Sequence, residues 1–222
     1  MRLRGLRGLR GPLKKKKIIQ ANEYNKPGNM ENKDYTAIYR IMHWAMAICV
    51  FLILITIFLR LTWLNKNHLA DIIQNYLATT DKSLSQEQLI VLAKQIRKPM
   101  WDWHIYLGYA LTVLYSIRML LPVFSGHLKL QNPFGKQLTL KTKFQYWVYL
   151  VFYMFVAISL ITGLVIELGP KSIKNSMEEI HVLSIYYLVA YIIIHLGGVF
   201  WSELTTEQGI ISKIISGKRR TA

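Results

Sequence analysis

Four long apolar segments constrain the fold of this chain more than any other feature. They cover residues 41–59, 103–124, 144–166 and 180–201, and apart from histidines and Arg118 they carry no charge. Each is long enough for a helix to cross a hydrocarbon core of about 30 Å, and 52% of the 222 residues are apolar. The sequence therefore predicts an all-α membrane protein, a four-helix transmembrane bundle with spans at about 41–64, 103–124, 144–167 and 180–201.

Basic residues indicate how this bundle is oriented. They are concentrated before the first span, in the connection 125–143 and in the tail from Lys213 onward, whereas the connections 65–102 and 168–179 mix acids and bases. Because basic residues are enriched in cytoplasmic segments, both termini are expected in the cytoplasm and the connection 65–102 in the periplasm. The net charge of +16 follows largely from this topology, so no nucleic-acid partner is needed to explain it.

The first 29 residues need a separate interpretation. They contain the repeat RLRGLRGLR and four consecutive lysines, without the apolar core and cleavage site of a secretory signal. Two interpretations are left open: a polybasic segment on anionic lipid, or an artefact of start-site choice with translation beginning at Met30. The expected organisation is a basic segment 1–34, a four-helix domain 35–218 and a basic tail 219–222.

The periplasmic connection 65–102 contains one helical pattern of its own. A capping box from Ser85 to Gln88 precedes a run of apolar residues at helical spacing, and Pro99 is expected to end that helix. Asp102 is a plausible N-cap for the second span. The short helix could dock a partner protein, rest on lipid, or be a surface helix without a ligand.

Histidines inside or at the ends of the apolar segments are the candidate functional residues. His181 and His195 are 14 residues apart on one predicted helix, which places them within about 40° of one face and about 21 Å apart along the axis. The charge-derived topology puts His43 at the depth of His195, and His104 at the depth of His181. The prediction is two histidine pairs, one near each membrane surface.

Two neutral imidazoles facing each other suit a metal whose remaining positions are already filled. Haem iron fits, because the porphyrin occupies four positions and the two rings supply the axial ligands. Zinc is less natural, since no Cys, Asp or Glu lies at ligand spacing from either pair. Without a Cys-x-x-Cys-His motif the haems are expected to be b-type. His68 and His127 fit neither depth and are expected to be solvated. Taken singly, each interfacial histidine of the pairs could also be a hydrated polar group without a ligand.

Three further residues are candidate haem-binding positions. Arg118 lies 14 residues after His104, which puts it at the depth of the inner pair, where it could hold a haem propionate or extend to the lipid headgroups. Arg40, three residues before His43, has the same two interpretations. Gly108, one turn after His104, would let a flat macrocycle or a neighbouring helix approach closely.

These residues resemble those of the bacterial cytochrome b561 family, also called the cytochrome b/b6-like domain. The likeness rests on Arg40-Ile-Met-His43-Trp44, on His104 with Gly108 and Arg118, and on Glu179-Ile-His181 followed by His195, and it covers about 35–218. It implies a four-helix bundle with two b-type haems, ligated by His43 and His195 at the inner level and by His104 and His181 at the outer level. Members of the family move electrons between quinol or quinone and other carriers, or anchor partner subunits.

The expected function is therefore electron transfer across the bacterial inner membrane, through two bis-histidine haems in a respiratory or quinone-linked chain. No nucleophile, base and orienting acid are grouped as hydrolysis would require, although quinol or quinone oxidoreductase activity is compatible with the pattern. Membrane lipids, the quinone pool, a redox protein at the periplasmic connection and a second copy of the chain are the expected partners. Two alternatives are a haem b membrane anchor of a hydrogenase or another periplasmic dehydrogenase, and a non-haem metal-binding transporter or assembly factor.

Overall fold

The computed structural model describes residues 37–124, 140–205 and 208–217. Within them the chain forms eight α-helices and no strand. These are α1 (Ala37–Leu61), α2 (Lys66–Ala78), α3 (Gln86–Ile96), α4 (Lys98–Phe124), α5 (Leu140–Leu168), α6 (Lys171–Val182), α7 (Ser184–Thr205) and α8 (Ile210–Ser216). The predicted basic segment 1–34, most of the lysine-rich connection with His127, and the tail 219–222 lie outside the described residues.

The prediction of four membrane spans is confirmed. Four segments of the described chain are long and apolar enough to cross a membrane: Ala37–Leu61, Lys98–Pro122, Thr142–Leu168 and Lys171–Thr205. The first three correspond to α1, α4 and α5, which begin four or five residues before the predicted spans. The fourth combines α6 and α7, so the protein has the all-α transmembrane architecture expected from its hydropathy.

The fourth span departs from the prediction because its helix is interrupted. His181 lies in the last turn of α6 and His195 lies on α7, with Leu183 between the two helices. At the break, the Leu183 amide donates to Ile180 O at 3.2 Å, three residues back instead of four. The expectation that both histidines share one continuous helix is therefore wrong, and the 14-residue arithmetic does not fix their relative direction.

A network of hydroxyl groups coincides with this break. Ser184, the first residue of α7, is buried and its Oγ lies 2.7 Å from Oγ of Ser159 on α5. The Tyr187 hydroxyl, one turn further along, donates to Ser184 Oγ at 2.9 Å. This network joins the start of α7 to α5.

The connection between α1 and α4 is a helical hairpin. Its helix α3 begins with the predicted capping box, in which Ser85 and Gln88 each accept a hydrogen bond from the other's backbone amide. The preceding helix α2 was not predicted; the side chain of Asn65 caps it by accepting a hydrogen bond from the Asn67 amide at 2.9 Å. Ala70 of α2 packs against Leu89 and Ala93 of α3, so the hairpin has a small apolar core of its own.

The start of α4 also differs from expectation. The helix begins at Lys98, with Pro99 in its first turn, where proline costs no hydrogen bond. Asp102 is therefore not an N-cap but lies inside the helix, where it forms an ion pair with Lys98 at 2.8 Å. The short helix does end before Pro99 as expected, since α3 stops at Ile96, and the same proline then lies in the first turn of α4.

The bundle is held together mainly by α1 against α4 and by α5 against α6 and α7. Met46 and Cys49 of α1 and Leu111 of α4 form the buried cluster between the first two spans. Many large apolar side chains point outward instead: Phe51 is 62% exposed and Ile193 67% exposed. In a membrane-spanning bundle such side chains contact lipid, which is as apolar as a protein core.

A short C-terminal helix folds back onto the end of the bundle where α1 begins. The carboxylate of Glu203 accepts hydrogen bonds from the amides of Gly209 (2.8 Å) and Ile211 (3.0 Å), which caps the start of α8. At the other end, the guanidinium of Arg40 donates to Ile215 O at 3.0 Å. This helix was not predicted, and it joins the end of α7 to the start of α1.

Candidate haem sites

His104 of α4 and His181 of α6 form the outer pair, named for the membrane side predicted from the charges. Their ring centroids are 6.3 Å apart and the ring planes cross at 89°. Both rings are partly buried. Because α4 and α6 are brought together through α5, the two imidazoles face each other across a gap between helices.

Each outer histidine is held by a buried threonine. Thr56 Oγ1 of α1 lies 2.8 Å from His104 Nδ1, and Thr162 Oγ1 of α5 lies 3.0 Å from His181 Nδ1. Thr56 is 7% exposed and Thr162 is 5% exposed, so water does not compete for these contacts. In both rings Nδ1 is engaged by the protein, which leaves Nε2 as the nitrogen available to a metal.

Aromatic and cationic groups cover the far side of His104. The indole of Trp101 is stacked on the His104 ring, with centroids 4.8 Å apart and planes 6° apart. The guanidinium of Arg60 lies over that indole at 4.4 Å, a cation–π geometry. Burial lowers the pKa of the neighbouring Arg97, and the charge of Arg60 lowers it further. Arg60 is therefore a cation close to the outer pair, with Arg97 near enough to feel its charge.

Glycines leave space beside the outer pair. A Cβ on Gly163 would lie 3.1 Å from Cε1 of His181, so the absence of a side chain lets the ring lie against α5. Gly108, one turn after His104, has no atom within 4 Å of the position that its Cβ would occupy. Gly108, a predicted haem-binding position, therefore has room beside its Cα, as do Gly197 and Gly198.

His43 of α1 and His195 of α7 form the inner pair. Their centroids are 6.1 Å apart and the planes cross at 47°. The ring of Tyr191, one turn before His195, stacks on it at 5.6 Å and 12°, and Phe152 of α5 stacks on Tyr191 at 3.7 Å. Trp44 meets the His43 ring edge-on at 5.7 Å. Aromatic contacts, instead of threonine hydroxyls, orient this pair.

Two predicted arginines lie at the inner end and each has an unused buried donor. Arg118 donates from Nε to the Tyr153 hydroxyl at 3.3 Å and lies over the Tyr39 ring at 4.8 Å. Its Nη1 is buried without a hydrogen-bond partner, and so is Nε of Arg40. A buried unpaired guanidinium nitrogen is costly, and a carboxylate would satisfy both arginines. Haem propionates are carboxylates.

The ring spacings fit a metal held between the members of each pair. A metal–imidazole bond is about 2.0 Å long, and an imidazole nitrogen lies about 1.1 Å from its ring centroid, so one bridging metal separates two centroids by about 6.2 Å. The observed values are 6.1 and 6.3 Å. No group of three or more His, Cys, Asp or Glu side chains comes together in the described segments. Each site thus offers two imidazoles, which is the axial set of a haem.

A family model for the prokaryotic cytochrome b561 matches residues 34–217 of this chain. The chain belongs to that family. Prokaryotic cytochromes b561 are membrane proteins that bind haem b and transfer electrons, and the four apolar helices agree with a multi-pass protein of the bacterial inner membrane. Searches of curated proteins and of solved structures returned no match.

Within this cytochrome b561 the structure brings together both histidine pairs that the sequence suggested, and it places Arg118 and Arg40 at the inner pair and Gly108 beside the outer one. His68 lies on α2 with an exposed side chain, away from both pairs. Thr56, Thr162 and Trp101 are contacts that sequence reasoning missed. The two threonines could have been noticed, because a buried hydroxyl in an apolar span needs a hydrogen-bond partner.

Proposed function

We propose that this cytochrome b561 carries electrons across the membrane through two b-type haems. The inner haem is ligated by His43 and His195, and the outer haem by His104 and His181. The observation that carries the proposal is that the four histidines of the spans meet as two pairs, with ring centroids 6.1 and 6.3 Å apart, close enough for the two imidazoles of each pair to share one metal. Haem supplies reversible one-electron chemistry at each level, which the protein side chains themselves lack.

The residues of the chain hold and tune these groups. Thr56 and Thr162 orient the outer ligands, while stacking on Tyr191 orients His195. At the inner end Arg40 and Arg118 take the propionates, since each has a buried nitrogen without a partner. Their positive charge next to the inner haem favours the reduced state, because reduction removes a positive charge from the iron.

A cavity beside His195 supports quinol or quinone as the small redox partner. Its volume is about 450 Å³, and it is lined by α5, α7 and α8, including Phe144, Trp201 and Gly198, with Gln145 as a polar group. Ligand cavities of this size, mostly apolar with few polar groups, suit a hydrophobic ring compound. Because His195 is among the residues that line the cavity, a quinone there would lie next to the inner haem and could exchange electrons with it.

Spectroscopy of the purified protein tests the haem proposal. A reduced-minus-oxidised spectrum with a haem b band and two haems per chain is the expected result. His181→Ala and His195→Ala should each remove one haem, a different one in each variant, whereas His68→Ala, on the exposed face of α2, should remove none. Absence of the haem b band from the wild-type protein would refute the proposal, and loss of the same haem from both variants would refute the pairing.

A second candidate function is that of a haem-bearing membrane anchor. It is favoured by the α2–α3 hairpin, a folded surface with its own apolar core that also exposes Ile72, Tyr76 and Val91 by more than half of their surface. Exposed apolar residues on a folded extramembrane element are typical of docking surfaces. Mild-detergent purification tests it: a stoichiometric second protein that is lost in Tyr76→Ser supports an anchor. A homodimer or a monomer of the cytochrome alone contradicts it.

A further inference from the structure

The hydroxyl of Thr56 can only accept a hydrogen bond from His104. A threonine hydroxyl has one proton, and that proton goes to Ile53 O, which lies 2.6 Å from Oγ1. The remaining contact of Oγ1, with His104 Nδ1 at 2.8 Å, must therefore be donated by the ring. His104 carries its proton on Nδ1, and its Nε2 is left with a lone pair.

Thr162 repeats this arrangement on another helix. Its hydroxyl donates to the backbone carbonyls of Ile158, at 2.8 Å, and of Ser159, at 3.1 Å. The 3.0 Å contact with His181 Nδ1 is then donated by the histidine ring as well. Each threonine hydroxyl donates its proton to a backbone carbonyl of its own helix. Its oxygen accepts a hydrogen bond from a histidine on another helix.

The geometry points to Thr56 and Thr162 as positioning residues that lock the tautomers of the two outer histidines and thereby set the outer haem apart from the inner one. Within the described residues no hydrogen bond reaches the ring nitrogens of His43 or His195, which are held by aromatic contacts. This inference rests on the proposed haem ligation. The two sites then differ in how firmly their histidine rings are held and in how basic the ligating nitrogens are.

A direction for the redox potential follows from this difference. A histidine that donates from Nδ1 to an oxygen becomes a more basic ligand at Nε2. A more basic ligand stabilises ferric iron more than ferrous iron, so the two threonines lower the midpoint potential of the outer haem. Since no such hydrogen bond supports the inner ligands among the described residues, only the outer haem is affected.

The test uses the complete protein with both haems bound. Thr56→Val and Thr162→Val remove the hydroxyl acceptor while keeping the shape of the side chain. Thr56→Ser keeps the hydroxyl and loses only the methyl group. Thr112→Val is the matched control, because Thr112 of α4 donates to Gly108 O at 2.8 Å in the same way but its hydroxyl meets no histidine in the described structure. The measurements are haem content and the two midpoint potentials by spectroelectrochemical titration.

Loss of one such partner weakens metal-site affinity about 10- to 100-fold. Where the ferric form loses about tenfold more affinity than the ferrous form, the midpoint potential rises by about 59 mV. We expect this rise at the outer haem only, in both valine variants, with the wild-type value in Thr56→Ser and Thr112→Val. Loss of the outer haem from Thr56→Val, while Thr56→Ser keeps it, supports the positioning role as well.

An unchanged outer potential in both valine variants, or an equal shift of both haems, overturns the inference while leaving the haem ligation intact. A shift in Thr112→Val as large as in Thr56→Val overturns it too, because the effect would then come from any threonine in the bundle. Failure of the wild-type protein to bind two haems is a different result. It refutes the proposed function itself, so the two failures are distinguishable.

Discussion

Replacing Gly163 with alanine should displace His181 without harming the fold. The added Cβ would lie 3.1 Å from Cε1 of His181 and 3.6 Å from its Nδ1. Carbon atoms pack best at about 3.5–4.0 Å, so the ring has to retreat by about 0.5 Å. Such a movement changes the 6.3 Å separation from His104 on which the proposed ligation of one iron by both rings depends.

The energies involved separate folding from haem binding. A carbon–carbon approach of 3.1 Å costs about 0.5 kcal/mol on a standard dispersion–repulsion curve. Alanine in a helix interior is more favourable than glycine by about 0.5–1 kcal/mol, and Gly163 lies within α5. The two terms nearly cancel in the haem-free protein, whereas metal sites tolerate displacements of only about 0.5 Å. The variant should therefore fold normally and lose its outer haem.

The assay is the haem-to-protein ratio together with thermal unfolding of the same preparation. The expected ratio falls from about two to about one, with the inner haem spectrum retained and the haem-free protein unfolding at its wild-type temperature. Gly197→Ala is the control, because its Cβ would meet no atom within 4 Å and it lies two residues, or about 200°, around the helix from His195. Full haem content in Gly163→Ala, with both potentials unchanged, refutes the reasoning.

Three further predictions follow from the same geometry. Gly108→Ala should leave the haem-free fold intact, because nothing lies near its Cβ, yet weaken the outer haem, as shown by haem content; full retention would mean that the macrocycle lies elsewhere. Gly217→Ala places a Cβ at a residue with φ 82°, at a backbone cost of about 1–2 kcal/mol, and 2.8 Å from Arg40 Cζ. The contact between α8 and Arg40 should therefore loosen. Because the positive charge of Arg40 then moves away from the inner haem, the midpoint potential of that haem alone should fall. Electron paramagnetic resonance of the oxidised protein should show two different low-spin signals, because the ring planes cross at 89° and 47°; one signal would contradict two distinct sites.

The spans and the histidine pairs were predictable because both follow from hydrophobicity and from the alternating direction of successive spans. Hydrocarbon excludes charge, so apolar length alone identifies α1, α4, α5 and the final span. Alternating topology then puts His43 and His195 at one end and His104 and His181 at the other. In a four-helix bundle, inward-facing residues at one depth share a small core, which is why equal depth was a sufficient guide to proximity.

The contacts around the pairs were not predictable from the pattern. No proline or glycine near Leu183 indicates a helix break in the sequence, and the apolar segment continues through this position. Helix α2 was missed because its sequence is polar enough to read as a loop, although it buries Ala70 against α3. Which hydroxyl meets which ring depends on helix rotation, and apolar spans carry little information about rotation when lipid and protein are equally apolar.

The break at Leu183 is what lets one segment of chain serve two different sites. On a continuous helix, His181 and His195 would be fixed about 40° apart in direction, and both would meet the same neighbouring surface. With α6 and α7 as separate helices, His181 lies against Thr162 and Gly163, while His195 stacks on Tyr191. One histidine is anchored through a polar group and the other through an aromatic ring, so the two pairs, although built from the same residue type, offer a bound metal two different environments.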